Sequence, residues 1–293
     1  MISLNLKSED FMSDFLKLVK SNKEIKELQL SDEIINKNLI TLVRYVQKKN
    51  LCDKCKGLRN CHQEMTGQQP ILKQYLDIFS VDYAPCEYYQ VVLDEQERRN
   101  RLTCIGCDLD GYNFDDIYVN EKRQDVLQVL KRTIMNYQKK TLSKGLYLHG
   151  SYGTGKTYLL GYLADKLTYL GAEVVFVYYP DFVRLVKSSI SDGTLEDLIN
   201  LVKEAEVLII DDFGGDSMTA FIRDEVLMTI LHHRMVTNGL TFMSSNLDYV
   251  GLKAHLASTA TENDEVKASR IIERIITLMD CLELKDENYR RGN

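Results

Sequence analysis

Residues 150–157 read GSYGTGKT, a match to G-x-x-x-x-G-K-[ST], set between the apolar run Leu146 to Leu148 and a helical pattern carrying Leu159, Leu160, Leu163 and Leu167. No other stretch of the 293 residues limits the fold as strongly. Glycines at this spacing let the backbone curl so that successive amides face phosphate oxygens, and the helix that follows turns its positive end to the same oxygens. Gly150, Ser151, Tyr152, Gly153, Thr154 and Gly155 are expected to form the cradle, Lys156 to reach the β and γ phosphates of ATP, and Thr157 to hold Mg2+. The plain alternative is a strand-to-helix turn that binds nothing; the lysine and threonine, both correctly placed, speak against it.

Downstream, Val207 to Asp212 reads VLIIDD, a buried-strand pattern ending in two carboxylates. Acids at the carboxyl end of a strand line the ligand crevice of an open parallel sheet. Asp211 is then the expected magnesium ligand, through water, and Asp212 the group that orients or deprotonates an attacking water. A third apolar run, Leu240 to Met243, ends in Ser244-Ser245-Asn246 and places an amide at the same sheet edge. Asn246 there either senses the γ-phosphate or serves as an ordinary turn or helix cap. Arg270 and Arg274 in ASRIIERI are four apart and share a helical face, and Arg290 follows in ENYRR. Each is either a charge-stabilising arginine or half of a surface ion pair.

Apolar runs at Leu146 to Leu148, Val174 to Tyr178, Val207 to Ile210 and Leu240 to Met243 alternate with helical patterns, which implies a parallel sheet flanked by helices. Before this region the chain reads differently. Phe11, Phe15, Leu16 and Val19 form one helical face, and Ile35, Leu39, Leu42 and Val46 another, capped by Ser31. From Leu51 to about Asp110 periodicity is lost, and cysteines, tyrosines and turn residues take over, as in a segment that needs a metal to fold. The polar stretch Asp110 to Asp116 gives a boundary between an N-terminal domain, 1–112, and an ATPase domain, 113–293.

Seven cysteines, six of them between Cys52 and Cys107, suit zinc in a reducing cytoplasm better than disulfides. Cys52-x-x-Cys55 supplies two ligands, and Cys61, His62, Cys86, Cys104 and Cys107 compete for the rest; a pair of hooks, Cys52 and Cys55 with Cys104 and Cys107, is one solution. Cys281 falls in an apolar, strand-like run and is expected in the core. No apolar run reaches membrane-spanning length, and the first residues lack the features of a signal peptide. A net charge of −6 excludes a protein that coats nucleic acid through its overall field, while leaving room for a local basic groove.

Together with LIIDDFGGD, SSNLD, ASRIIERI, ENYRR and the upstream LCDKC, NCHQ and APCEYY elements, these features resemble the bacterial helicase loaders of the AAA+ superfamily over nearly the whole chain. The resemblance implies an α/β AAA+ P-loop NTPase with a parallel sheet and flanking helices, preceded by a small helical zinc-binding domain. It implies Zn2+ on Cys52, Cys55, Cys61 and Cys86, a first sensor at Asn246, a finger acting in trans at Arg270 or Arg274, and a second sensor at Arg290. Its partners are a hexameric replicative DNA helicase, met by the N-terminal module, and single-stranded DNA, facing Asp181 to Glu206 through Phe182, Arg184 and Lys187. Self-association through the AAA+ domain also follows. The bland reading of Asp181 to Glu206 is an amphipathic helix with Phe182, Leu185 and Val186 in the core. AAA+ ATPases generally end the acidic strand in Asp-Glu, so Asp211-Asp212 points to slow turnover. Transposition-helper ATPases share the motor but lack such a cysteine cluster, and a zinc adaptor with a nucleotide switch and little turnover is the other rival.

Overall fold

The structure, a computed structural model, describes residues 8–53, 55–109, 117–141, 143–215, 217–259 and 261–289. The chain divides into two compact units, Met1–Gln96 and Glu97–Asn293. The division falls before the expected boundary at residue 112 because β3, Leu102–Ile105, pairs residue for residue with Val174–Val177 and so belongs to the second unit's sheet.

The first unit has an apolar core of its own. Helices Ser8–Ser21, Lys23–Glu27, Asp32–Lys37 and Leu39–Asn50 bring Val19, Ile25, Leu42, Tyr45 and Val46 together, and Phe79 joins them from a hairpin made of β1, Gln68–Tyr75, and β2, Ile78–Pro85. The long helix expected after Ser31 is broken at Asn38. That side chain donates to Asp77 O (2.7 Å) and accepts from Phe79 N (3.0 Å), so it docks the hairpin where a helix would have continued. The segment that lost periodicity thus holds an antiparallel hairpin, a helix at Glu87–Asn100 and strand β3.

The second unit is a six-stranded parallel sheet. Beside β3 it contains β4 (Gly145–His149), β5 (Val174–Tyr178), β6 (Val207–Phe213), β7 (Leu240–Ser245) and β8 (Met279–Glu283), in the order β3-β5-β6-β7-β4-β8. Alternate residues feed two cores. Val174, Phe176, Val207 and Ile209 face Leu159, Leu160 and Leu163 of helix Lys156–Tyr169 and Val126 and Leu130 of helix Gln124–Gln138. Val175, Val177, Leu208 and Ile210 face the opposite layer, which includes Phe182, Ile230, Leu252 and Ile271. Burial on both faces is why these strands read as continuous apolar runs.

Two expected core positions differ. Cys281 does lie in a strand, but its side chain is exposed at the sheet's margin, whereas its neighbour Met279 is buried. Leu185 is exposed, while Phe182 and Val186 are buried. Phe182 is therefore a core residue and offers no ring to a nucleic-acid base; Arg184 and Lys187, on the same helix Tyr179–Asp192, are exposed. Among the described residues no helix is long and apolar enough to cross a membrane.

Candidate nucleotide site

Strand order explains how the two sequence motifs meet. The phosphate loop follows β4, the paired acids end β6, and β7 lies between those strands, hydrogen-bonded to both. The carboxyl end of β7 is therefore placed to bridge them, and it does. Asn246 Oδ1 accepts from Lys156 Nζ (2.7 Å), while its Nδ2 donates to Asp212 Oδ1 (3.0 Å). Lys156, buried, also donates to Gly150 O (2.8 Å) and Ser151 O (2.9 Å), so its ammonium sits within the curl of the loop. Gly155 stands at φ +91°, a conformation favouring glycine, directly before the helix that begins at Lys156. Thr154 is buried and its hydroxyl donates to Ser151 O (3.0 Å), whereas Tyr152 projects into solvent.

Across the crevice Thr157 Oγ1 donates to Asp211 Oδ2 (2.8 Å), and Ser244 Oγ donates to Asp211 Oδ1. The same Ser244 hydroxyl accepts the Asp212 amide (3.0 Å). Asp212 adopts φ +57° at a point where the β6–β7 register shifts, which turns its carboxylate toward Asn246 instead of along the strand. Burial pushes the Asp211 carboxyl above its ordinary range, and the nearby Asp212 charge adds to that; the Ser244 and Thr157 hydroxyls and Lys156 act the other way. Two hard oxygen donors, the Thr157 hydroxyl and the Asp211 carboxylate, beside an ammonium in a backbone cradle suit Mg2+ held jointly with substrate phosphates.

The raised Asp211 pKa has a measurable sign. A carboxyl whose folded pKa lies above its unfolded one retains its proton in the native state after the unfolded chain has released it, so stability falls as pH rises through that window. Asp211→Asn carries no charge to desolvate. It is expected to melt at a higher temperature than the wild-type chain at neutral and alkaline pH without nucleotide, with the gap closing in acid, as thermal melts across pH will test.

The sequence pattern singled out Asn246 and passed over Ser244, whose hydroxyl organises both acids; its position in the quoted Ser-Ser-Asn turn was the available signal. Also missed was Arg123, which donates from Nη2 to Thr154 O (2.7 Å) and pairs with Asp286. Arg270 is exposed, and Arg274 donates to Arg270 O (2.8 Å); both lie on helix Glu265–Leu278. Arg290 lies outside the described residues.

The cysteines give a different picture from the expected zinc centre. Cys52 and Cys55 share a turn, with Cys55 N donating to Cys52 O (3.0 Å), and Gly67 links the other two: its amide donates to Cys61 Sγ (3.5 Å) and its carbonyl accepts from Cys86 N (2.8 Å). Gln63 Nε2 reaches Cys52 Sγ (3.1 Å). The sulfurs do not converge, however: among the described residues no three His, Cys, Asp or Glu side chains gather to hold a metal ion. Cys104 and Cys107 belong to the second unit, Cys104 within β3 opposite Phe176 and Cys107 donating to Phe176 O (3.7 Å).

Residues 107–293 match the family described as IstB-like ATP binding protein. Over 282 residues, 94% of this chain and 89% of the relative, the sequence is 35% identical to the replicative helicase loader DnaI of Bacillus subtilis. Among solved structures, a crystal structure of DnaI aligns with TM-score 0.57 and 32% identity, covering 66% of this chain and 98% of that one. A crystal structure of a putative primosome component from Streptococcus pyogenes aligns with TM-score 0.56 and 30% identity, covering 67% of this chain and 99% of that one. With a six-stranded parallel sheet whose central strands carry the loop, the acids and the bridging asparagine, the chain belongs to the IstB-like ATP-binding proteins by its second unit and to the DnaI family over almost its whole length.

Proposed function

We propose that this protein is an ATP-dependent loader that holds a hexameric replicative helicase while single-stranded DNA is admitted. The observation that carries the reading is the meeting of Lys156, Asn246 and Asp212 across β7 in a chain that aligns over 94% of its length with a helicase loader. The alignment's reach favours this reading over a transposition helper: the DnaI likeness takes in the first unit, whereas the family match begins at residue 107.

In this reading the amides of 150–155 and Lys156 bind the triphosphate. Thr157 and Asp211 would hold Mg2+, which would neutralise charge on the triphosphate. Asp212, turned toward Asn246, orients the attacking water, and its short side chain makes hydrolysis slow without partners. Binding draws Lys156 from Asn246 Oδ1 toward phosphate, so Asn246 transmits the occupied state to Asp212. Arg270 or Arg274 acts on a neighbouring copy's nucleotide, and Arg290 as a second sensor. The first unit meets the helicase, and its Cys52, Cys55, Cys61 and Cys86, whose sulfurs stand apart in this structure, would draw together to hold a structural zinc. What supports the zinc is the shared Gly67 link between Cys61 and Cys86 and the N–H groups aimed at the sulfurs of Cys61 and Cys52. Elemental analysis of the purified chain is expected to find zinc that Cys61→Ser loses.

The test of function is phosphate release by the full chain alone, with its hexameric helicase, and with helicase and single-stranded DNA. Turnover that rises with the partners is expected. No turnover under any condition leaves only an adaptor, and capture of a transposase in place of a helicase overturns the reading.

A further inference from the structure

The tail after β8 runs back over the phosphate loop and holds it at two points. Leu284 N donates to His149 O (2.7 Å) just before the loop, and Tyr289 N donates to Gly153 O (2.9 Å) at its middle. Between these points Asp286 accepts from Arg123 Nε (2.5 Å), from Asn120 Nδ2 (3.1 Å to each oxygen) and from the Tyr289 hydroxyl (3.0 and 3.1 Å). The Arg123 and Asp286 side chains are only 5% and 1% exposed. The guanidinium also lies 4.6 Å from the Tyr289 ring centre and 5.7 Å from that of Tyr118. Its far end, Nη2, donates to Thr154 O (2.7 Å). One rigid, planar fork therefore joins a tail carboxylate to a carbonyl of the loop.

We propose that Asp286 and Arg123 are positioning residues for nucleotide binding: through them the C-terminal tail fixes the peptide planes of the phosphate loop. The inference rests on the nucleotide-site reading above. In a trans peptide unit the C=O and the N–H of the next residue point in opposite directions. Tyr289 holds Gly153 O, which aims the Thr154 amide the other way; Arg123 holds Thr154 O, which does the same for the Gly155 amide. These are two consecutive donors of the cradle. Both are turned away from the tail by bonds to the carbonyls behind them. The fit leaves no slack, since a Cβ at Gly153, φ +77°, would come within 2.1 Å of Asn288 Oδ1. Asp286 is what keeps the buried guanidinium seated: without the carboxylate the cation loses its partner and seeks water. Releasing the fork frees the two peptide planes, and the loop then spends binding energy on ordering itself.

The test is titration of the full chain with a fluorescent ATP analogue and magnesium, for wild type, Asp286→Ala, Asp286→Glu, Arg123→Lys and Lys156→Ala, each checked by thermal melting. Asp286→Ala is expected to weaken binding about tenfold, the worth of one charge-assisted contact. Asp286→Glu should recover most of that, and Arg123→Lys, lacking the fork, little. Linkage is reciprocal, so nucleotide must also slow hydrogen exchange of the 284–289 amides in the wild-type chain. A folded Asp286→Ala protein with unchanged affinity, or tail exchange indifferent to bound nucleotide, overturns the proposal. So does protection that is lost in Arg290→Ala yet kept in Asp286→Ala, which would assign the coupling to a residue further along the tail. If Asp286→Ala does not fold, Asp286→Glu, Arg123→Lys and the wild-type exchange data decide. Wild-type affinity in Lys156→Ala strikes at the nucleotide-site reading itself and is distinguishable from all of these.

Discussion

Lys156→Ala is expected to lower affinity for nucleoside triphosphate by roughly 10- to 150-fold, from about 1.5–3 kcal/mol for hydrogen bonds to a charged group. Lysine here is buried and already desolvated, held by Gly150 O, Ser151 O and Asn246 Oδ1 within the curl of the loop. Much of the cost of bringing an ammonium to the phosphates has thus been met by the fold, and the contact is worth more than one from a free surface lysine. The substitution has a second effect. It removes a donor from two loop carbonyls and from the amide that faces Asp212, so the loop loosens and Asp212 loses a fixed neighbour. Arginine at 156 is not an equivalent rescue, because a planar fork cannot fill a seat made for a compact ammonium. Equilibrium titration with a fluorescent analogue measures the effect; unchanged affinity sinks the site.

Arg223→Met is expected to be the most damaging change to stability. Arg223 has a fully buried side chain that bonds Asp224 with both Nε (2.7 Å) and Nη2 (3.0 Å), reaches Glu262, and donates to Leu256 O (3.3 Å). Lys267 closes the cluster on Asp224 (2.8 Å) and Glu262 (3.2 Å). Removing the guanidinium leaves two acids sharing one lysine against a buried apolar wall, a cost of about 3–5 kcal/mol, nearer the lower figure because Glu262 and Lys267 reach solvent. The melting temperature should fall by roughly 6–20 °C. Arg223 and Lys267 hold the Asp224 and Glu262 carboxyls below their ordinary values. Stability from those groups is therefore present above the unfolded carboxyl range and lost as pH drops through the depressed folded values. The wild-type chain should lose in acid an advantage that Arg223→Met never had; equal melting temperatures for the two proteins at neutral pH contradict this account.

The strands of the second unit were legible because burial on both faces writes them as unbroken apolar runs, as at Val174 to Tyr178 and Val207 to Ile210. Edge strands carry less of that signal. β3 reads Leu-Thr-Cys-Ile and does not stand out from its surroundings, while in β8 the strand-like run around Cys281 was legible but its exposure was not, since Met279 is buried and Asp280 and Cys281 are exposed. Lys156, Thr157, Asp211, Asp212 and Asn246 were legible because a local pattern sets each at a strand end or at the start of the helix after the phosphate loop. Arg123 and Asp286 were not, since their partnership exists only once the chain has closed over a separation of 163 residues. The hairpin of the first unit was hidden for a related reason: its hold on the helices runs through Asn38, a residue that sequence reads as an unremarkable helix interior.

The backbone at Asp212 carries a consequence for how the protein can drift. At φ +57° it sits where glycine is the comfortable tenant, so the backbone is strained by any side chain there, and the carboxylate's bond to Asn246 is its one local return described above. Selection for hardiness alone pulls this position toward glycine. Only a use for the carboxylate pulls back, which makes the residue an internal record of whether a lineage still does the chemistry.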